Sequence, residues 1–185
     1  MTKTATRMLR LMDRAVTLWR IPVIGKEKGR VLRRLIARHQ PRHGIEVGSL
    51  FGYSAILVAG HMPRGGRLVC VEENAYLAKF VSSNVERAGL GKQVKVVVGD
   101  ALRVLPLLRG PVDFLLIDAN KEDYLDYLRA VESRLVKGAL VVADNTGIYR
   151  RDVKPYLDHV RNDARYTSAE HDFGFDCMEV SVHRG

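Results

Sequence analysis

The sequence predicts an α/β protein with one doubly wound sheet of seven strands, mostly parallel, and three observations lead to this fold class. From residue 44 onward, short apolar runs alternate with longer amphipathic stretches, the pattern of parallel strands joined by crossover helices. The runs Phe114–Ile117 and Leu140–Val142 lack polar alternation, which is typical of strands covered on both faces. Only a short segment that contains Asp172-Phe173-Gly174 separates the last two strand candidates, so we expect an antiparallel hairpin at one edge of the sheet, with the last strand antiparallel.

The individual elements follow from the same patterns. The predicted strands are 44–47, 67–71, 94–98, 112–117, 139–143, 166–170 and 176–182. The predicted helices between them are 53–62, 75–90, 101–108, 121–136 and 151–163. Two further helices, 4–20 and 27–39, are predicted before the first strand. The segment 21–25 between them contains a Pro and a Gly, which interrupt helices. We therefore expect a single Rossmann-like domain, 1–185, in which N-terminal helices (1–43) precede a core (44–185).

Composition bounds the function without deciding it. The 185 residues are 46% hydrophobic and 28% charged, which suits one folded core and excludes collagen-like, disordered and membrane-spanning chains. The net charge of +9 is unevenly distributed: residues 1–44 hold 12 basic and two acidic residues (12 − 2 = +10), and the rest hold 18 and 19 (18 − 19 = −1). A basic N-terminal region of this kind can bind nucleic acid, but a solvated helix face is the plainer interpretation.

Cysteine usage and the N-terminus bear on the compartment. Cys70 and Cys177 lie in apolar stretches without metal-type spacing, so we expect reduced thiols. The first 20 residues lack the continuous apolar core of a secretory signal; an Arg-rich transit peptide is the less favoured interpretation because the segment has no Ser. We expect a cytoplasmic protein with no membrane association.

The first strand and its turn predict a ligand site. Gly48 permits close backbone approach at the carboxyl edge of a central strand, and Ser54 lies near a helix N-terminus. The dinucleotide fingerprint G-x-G-x-x-G is absent, and Glu46 would repel a pyrophosphate and attract an ammonium group. Glu72, at the end of the second strand, could accept ribose hydroxyls. Asp100, after the third strand, could hold an adenine amino group or simply cap a helix.

Polar residues also follow the fourth and fifth strands. Asp118 comes after one strand, and Asp144 with Asn145 after the next, so adjacent strands would bring these oxygens to one edge. Oxygen ligands without Cys or His suit a hard divalent cation such as Mg²⁺, although each residue alone is an ordinary turn residue. Lys121, three residues beyond Asp118, is a candidate to take a proton near neutral pH.

In order along the chain, these residues resemble the metal-dependent class I O-methyltransferases that include the catechol and caffeoyl-coenzyme-A O-methyltransferases. The resemblance covers about Ile21 to Val182 and implies an S-adenosylmethionine-binding fold. It implies that Glu46, Gly48 and Ser54 hold the methionine end of the cofactor, with Ser49 and Asp118 among the other cofactor contacts. Glu72 would hold the ribose, Asp100 and the Ala101 backbone the adenine, and the Ile24 backbone the methionine portion. The implied metal ligands are Asp118, Asp144 and Asn145, with Lys121 as the general base and Asp118 beside it in catalysis.

The resulting expectation is divalent-metal-assisted methyl transfer from S-adenosylmethionine to a hydroxyl of a small acceptor, catechol-like or otherwise phenolic, with Mg²⁺ as the expected ion. We expect a homodimer. The family usually has a longer insertion after the Asp-Asn pair, whereas here Thr146–Arg151 leads straight into a helix. This difference predicts an acceptor pocket that is open, completed by a partner subunit or suited to a bulky substrate. The alternative is an RNA-associated methyltransferase or a nucleic-acid-binding protein that uses the basic N-terminal helices.

Overall fold

The computed structural model describes residues 1–185, and its strands form one seven-stranded sheet. The strands are β1 His43–Val47, β2 Arg67–Glu72, β3 Val94–Val98, β4 Val112–Ile117, β5 Leu135–Ala143, β6 Tyr166–Asp172 and β7 Cys177–His183. The helices are α1 Lys3–Trp19, α2 Gly25–His39, α3 Tyr53–His61, α4 Ala75–Arg87, α5 Ala101–Val104, α6 Tyr124–Glu132 and α7 Lys154–Asn162. Short 3₁₀ turns continue α5 over Leu105–Leu107 and precede α6 over Lys121–Asp123.

The sheet order is β3-β2-β1-β4-β5-β7-β6, which confirms the predicted fold class. All pairs are parallel except β5 with β7 and β6 with β7, so the last strand is antiparallel and the final hairpin forms one edge. The strand order reverses between β1 and β4, the position at which ligands bind in open α/β sheets.

Apolar side chains cover both faces of the sheet. One buried cluster of 27 residues joins the sheet to α1, α2, α3 and α4, and a second cluster of 21 residues joins the other face to α5, α6 and α7. Helix α1 contributes Ala5, Met8, Leu9 and Met12 to the first cluster, so the N-terminal helices pack on the sheet layer through α3. No helix is both long and apolar enough to span a bilayer.

Several predicted boundaries are wrong for local reasons. Helix α4 ends at Arg87, not at 90, because Gly89 takes a left-handed conformation (φ +74°). The predicted helix 101–108 is α-helical only to Val104, and a 3₁₀ turn containing Pro106 replaces the remainder. The predicted helix 121–136 ends at Glu132, since Leu135 already pairs with Val112 in the sheet.

Candidate active site

Two adjoining cavities open at the carboxyl edge of the sheet, on either side of the turn after β1. The first, about 650 Å³, extends from the α1–α2 connector to the residues that follow β4 and β5. The second, about 520 Å³, lies over the ends of β2 and β3. Gly48, Leu50 and Asp118 line both cavities, so one elongated ligand could occupy the pair.

The turn after β1 is held by its neighbours on both sides. Gly48 N donates to Val71 O (3.0 Å), and Asp118 N donates to Val47 O (2.9 Å), which extends the β1 pairings one residue beyond each strand. Gly48 has φ +82°, and a Cβ built on it would lie 2.2 Å from the carbonyl oxygen of Asp118. Only glycine fits this position, and the backbone is thereby exposed to a ligand.

Glu72 fastens the same turn. Its Oε2 accepts from the backbone N–H groups of Ser49 (3.0 Å) and Leu50 (2.9 Å), and its Oε1 accepts from Asn74 N (3.0 Å). The residue also lines the second cavity. A carboxylate offers about four lone-pair positions, so Glu72 retains capacity for a hydroxyl of a bound ligand while it holds the turn.

Glu46 lies beneath the turn rather than in the cavity wall. It is fully buried, its Oε2 accepts from Ser49 Oγ (2.6 Å), and its Oε1 has no hydrogen-bond partner. Burial raises the pKa of Glu46, the Ser49 hydroxyl opposes the shift, and the nearby Asp118 adds to it. A buried acceptor without a partner costs about 1–3 kcal/mol, so a donor that reached Glu46 would be bound favourably.

The other predicted cofactor residues are divided between the two cavities. Ile24, Ser49 and Ser54 line the first, and Asp100 and Ala101 line the second. Asp100 also caps α5, because its Oδ1 accepts from Leu102 N (2.8 Å); both alternatives that the sequence left open for this residue remain compatible with its position.

The structure brings Asp118, Lys121 and Asn145 together after β4 and β5. Lys121 Nζ donates to Asp118 Oδ1 (2.9 Å), Asn145 Oδ1 (3.0 Å) and the hydroxyl of Tyr124 (2.8 Å). The Tyr124 hydroxyl in turn donates to the carbonyl oxygen of Asp144 (3.0 Å). The fully buried Tyr124 therefore links the lysine to the end of β5, a role that sequence reasoning missed.

Asp144 belongs to a second, buried ion cluster that sequence reasoning also missed. Lys28 Nζ lies 2.5 Å from Asp144 Oδ1 and 2.5 Å from Asp176 Oδ2, and the side chains of all three residues are at most 4% exposed. Burial lowers the pKa of Lys28, but Asp144 and Asp176 outweigh burial and raise it overall. The signal for Lys28 was present in the sequence, because 28, 32 and 36 share a helix face and Leu32 and Ile36 are buried.

The donor set fits a divalent cation. The three predicted ligands, Asp118, Asp144 and Asn145, offer only oxygen, as Mg²⁺ prefers, and each now accepts from a lysine ammonium group. Burial, and next the neighbouring Asp118, raises the pKa of Asp144 to about 6, whereas Lys28 opposes the shift. Carboxylates that disfavour each other's charge in this way are stabilised by an added cation.

Apolar side chains form the rim of the first cavity. Ile148, Tyr149 and Phe175 line it although they are 60%, 43% and 64% exposed. The Tyr149 ring lies 5.6 Å from Lys121 Nζ, and the Phe175 ring lies 5.9 Å from Lys28 Nζ. The short segment after Asn145 thus leaves an exposed, partly aromatic entrance beside the polar cluster.

Comparison with known proteins identifies the family. A family described as O-methyltransferase matches residues 4–173 of this chain. The chain belongs to this O-methyltransferase family. Among solved structures, the O-methyltransferase TomG of Streptomyces achromogenes, determined in complex with SAM, superposes with a TM-score of 0.83 at 25% identity, covering 100% of this chain and 91% of that one. An O-methyltransferase from Bacillus cereus in complex with SAH shares the fold, with a TM-score of 0.82 at 24% identity over 100% of this chain and 92% of that one.

The relatives of this family member include several catechol O-methyltransferases. That of Niastella koreensis is 36% identical over 126 residues, 66% of this chain and 57% of that protein. That of Mycobacterium tuberculosis is 38% identical over 123 residues, 66% and 56% respectively. That of Bos taurus is 31% identical over 175 residues, 88% and 64%. The matched segments therefore span less than two thirds of the length of these three relatives.

Proposed function

We propose that this protein is an S-adenosylmethionine-dependent O-methyltransferase that acts, with a divalent cation, on a hydroxyl of a small catechol-like or other phenolic acceptor. The observation that carries the proposal is the cluster of Asp118, Lys121, Asp144 and Asn145 in a cavity that adjoins a second one across the Gly48 turn. Membership of the O-methyltransferase family and the catechol O-methyltransferase relatives support the same chemistry.

The two cavities match the two ends of the methyl donor. We assign the nucleoside end to the second cavity, where Glu72 faces the ribose and Asp100 with the Ala101 backbone faces the adenine. We assign the methionine end to the first cavity, beside Ser49, Ser54 and the Ile24 backbone. The unpartnered Oε1 of Glu46 supports this assignment, because the ammonium group of the donor supplies the kind of cation that an orphaned buried carboxylate attracts.

Asp118, Asp144 and Asn145 would hold the divalent cation, Mg²⁺ in our proposal, and when bound it would supply Lewis-acid polarisation and orientation of the acceptor hydroxyl. Lys121 Nζ, in its neutral amine form, takes the hydroxyl proton and becomes an ammonium group, and Tyr124 at 2.8 Å keeps that nitrogen at the edge of the cavity. The acceptor oxygen then forms a bond to the methyl carbon as the carbon–sulfur bond breaks. Charge disappears in this step, so the reaction is favoured once the bound donor and acceptor have displaced water from the first cavity.

A methyl-transfer screen tests the activity. The purified protein is supplied with S-adenosylmethionine and catechols, other phenols or RNA, with Mg²⁺ or with EDTA. We expect transfer to a phenolic hydroxyl that is lost in EDTA and restored by Mg²⁺. Transfer to RNA alone, or transfer that is indifferent to EDTA, would contradict the acceptor class or the metal requirement respectively.

Two variants test the residue roles. Asp144→Ala should abolish metal-dependent turnover and leave the affinity for adenosylhomocysteine largely intact, whereas the matched control Asp126→Ala, an exposed α6 residue, should change neither. Lys121→Met should lose most of its turnover, and the remaining activity should no longer depend on the protonation of this lysine. Lys92→Met, which replaces an exposed lysine outside the site, is the control and should keep full activity. Full activity of Lys121→Met across pH would exclude the general-base role.

We further propose a cytoplasmic homodimer. Both thiols, Cys70 and Cys177, are unpaired, which suits a reducing compartment. Helix α1 exposes Leu11, Leu18 and the adjoining Trp19, apolar side chains that a second subunit could cover. Light scattering coupled to size-exclusion chromatography would give twice the monomer mass if the dimer forms, and the monomer mass if it does not.

A further inference from the structure

Two buried residues outside the predicted ligand set, Lys28 and Asp176, form hydrogen bonds with two of the predicted ligands. Asp176 Oδ2 accepts from both Lys28 Nζ (2.5 Å) and Asn145 Nδ2 (2.8 Å), and Lys28 Nζ also donates to Asp144 Oδ1 (2.5 Å). The pair therefore contacts the carboxylate at the end of β5 and the amide that follows it. Neither residue belongs to the predicted reaction chemistry.

The direction of the Asn145 amide follows from the chemistry of its neighbours. As an ammonium group Lys121 can only donate, and an ionised Asp176 can only accept, so the amide oxygen faces Lys121 and the amide nitrogen faces Asp176. The backbone of Asn145 is left-handed (φ +58°), a conformation that needs support in a residue other than glycine. Asp176 supplies that support, because its Oδ1 accepts from two backbone amides just beyond Asn145, Gly147 N (3.1 Å) and Ile148 N (2.9 Å).

Lys28 does the same for Asp144. By donating to Oδ1 of that carboxylate, the ammonium group restricts the rotation of the carboxylate. Lys28 belongs to the first turns of α2, so it also ties the α1–α2 wall of the first cavity to the β6–β7 hairpin that carries Asp176. Three segments distant in sequence are thereby held around one ligand set.

We propose that Lys28 and Asp176 form a positioning pair that orients Asp144 and Asn145 for a divalent cation. This inference rests on the proposed function, in which those two residues are metal ligands. Partners that orient metal ligands from behind are worth about 10–100-fold in metal affinity, which sets the size of the expected effect.

A double-mutant cycle measured by Mn²⁺ binding, followed by electron paramagnetic resonance, separates positioning from charge. Lys28→Met together with Asp176→Asn removes one positive and one negative charge, so the net charge of the site is unchanged. Positioning predicts Mn²⁺ affinity about 10–100-fold weaker in the double variant. An effect of charge alone predicts tighter binding by Lys28→Met, weaker binding by Asp176→Asn and unchanged binding by the double variant.

A matched control is the ion pair of Arg161 with Glu179. The Glu179 side chain is buried like that of Asp176, but neither residue of this pair lines either cavity. Arg161→Met with Glu179→Gln should leave Mn²⁺ affinity unchanged. Equal weakening by both double variants, or none by Lys28→Met with Asp176→Asn, would overturn the positioning role. Failure of the unmodified protein to bind Mn²⁺ at all would instead overturn the metal site, and the inference with it.

A second measurement needs no variant and so does not depend on the folding of one. The side-chain amide protons of Asn145 should exchange slowly with solvent in the unmodified protein, because the nitrogen donates to a buried carboxylate. Fast exchange of these protons would show that Asp176 does not hold the amide and would refute the proposal.

Discussion

Gly48→Ala is the substitution for which the structure predicts the sharpest effect on both folding and ligand binding. Gly48 has φ +82°, where a Cβ costs about 1–2 kcal/mol through the backbone alone. The added Cβ would also lie 2.2 Å from the carbonyl oxygen of Asp118 and 2.8 Å from its carbonyl carbon. Both backbones are tied into the sheet by hydrogen bonds of 3.0 Å and 2.9 Å, so neither can withdraw without loss of pairing.

Relief of such a contact costs about 1–3 kcal/mol in well-packed regions, which gives a total destabilisation of about 2–5 kcal/mol for Gly48→Ala. Gly89→Ala is the matched control. Gly89 has nearly the same backbone conformation (φ +74°), but a Cβ built there meets no atom within 4 Å. The control should therefore lose only the backbone contribution, about 1–2 kcal/mol.

Urea unfolding of the two variants gives the free energies, and calorimetric titration with adenosylhomocysteine gives the affinities. We expect Gly48→Ala to lose more stability than Gly89→Ala. It should also lose affinity for adenosylhomocysteine, because the distorted turn lies between the two cavities and packs against Asp118, which lines both of them. Equal destabilisation of the two variants, with ligand affinity unchanged in Gly48→Ala, would refute the argument from the close approach.

Two further substitutions probe buried hydrogen bonds. Tyr124→Phe leaves the Asp144 carbonyl without its donor and Lys121 without one acceptor. We therefore expect the free energy of unfolding in urea to fall by about 1–3 kcal/mol and methyl transfer to slow. A variant as stable and active as the unmodified protein would show that the hydroxyl is dispensable. Glu132→Gln should destabilise most at neutral pH: burial raises the pKa of Glu132, but hydrogen bonds from Tyr166 and His159 outweigh it and lower the pKa overall. A carboxylate whose pKa is lowered in the folded state stabilises the fold above its unfolded-state pKa, and this stabilisation is lost as pH falls through the folded-state pKa. The difference in unfolding free energy between Glu132→Gln and the unmodified protein should therefore shrink in acid. A constant difference from pH 7 to pH 3 would contradict the role of the charge.

The fold could be predicted because its signals are local. Unbroken apolar runs such as 114–117 are found in central strands, and the short separation before the last strand predicts a hairpin, as observed. Besides the local effects of Gly89 and Pro106, one boundary error arose where tertiary pairing overrode the local pattern. Leu135 continues an amphipathic stretch in sequence, yet it pairs with Val112 as the start of β5 because the sheet buries it there.

The candidate site was predicted in part for the same reason. Asp118 and Asp144 each follow a recognisable strand, so sheet topology alone brings them to one edge. Lys28 and Asp176 lie 148 positions apart, and their pairing depends on how the N-terminal helices and the final hairpin close around that edge. No pattern in either local stretch specifies that contact. Only the helical spacing of residue 28 with buried positions 32 and 36 indicated that the lysine points inward.

The position of Lys28 changes the meaning of the basic N-terminal region. By charge count, residues 1–44 form a separable basic appendage on a nearly neutral core. One of those charges is instead buried against Asp144 and Asp176, and the neighbouring Ile24 is buried in the cavity wall. Loss of the Lys28 charge alone would leave two buried carboxylates without their cation, a far more costly state than the paired one. The N-terminal helices are thus a structural wall of the candidate site, and any interaction of their exposed arginines with other molecules would take place on the outer surface of that wall.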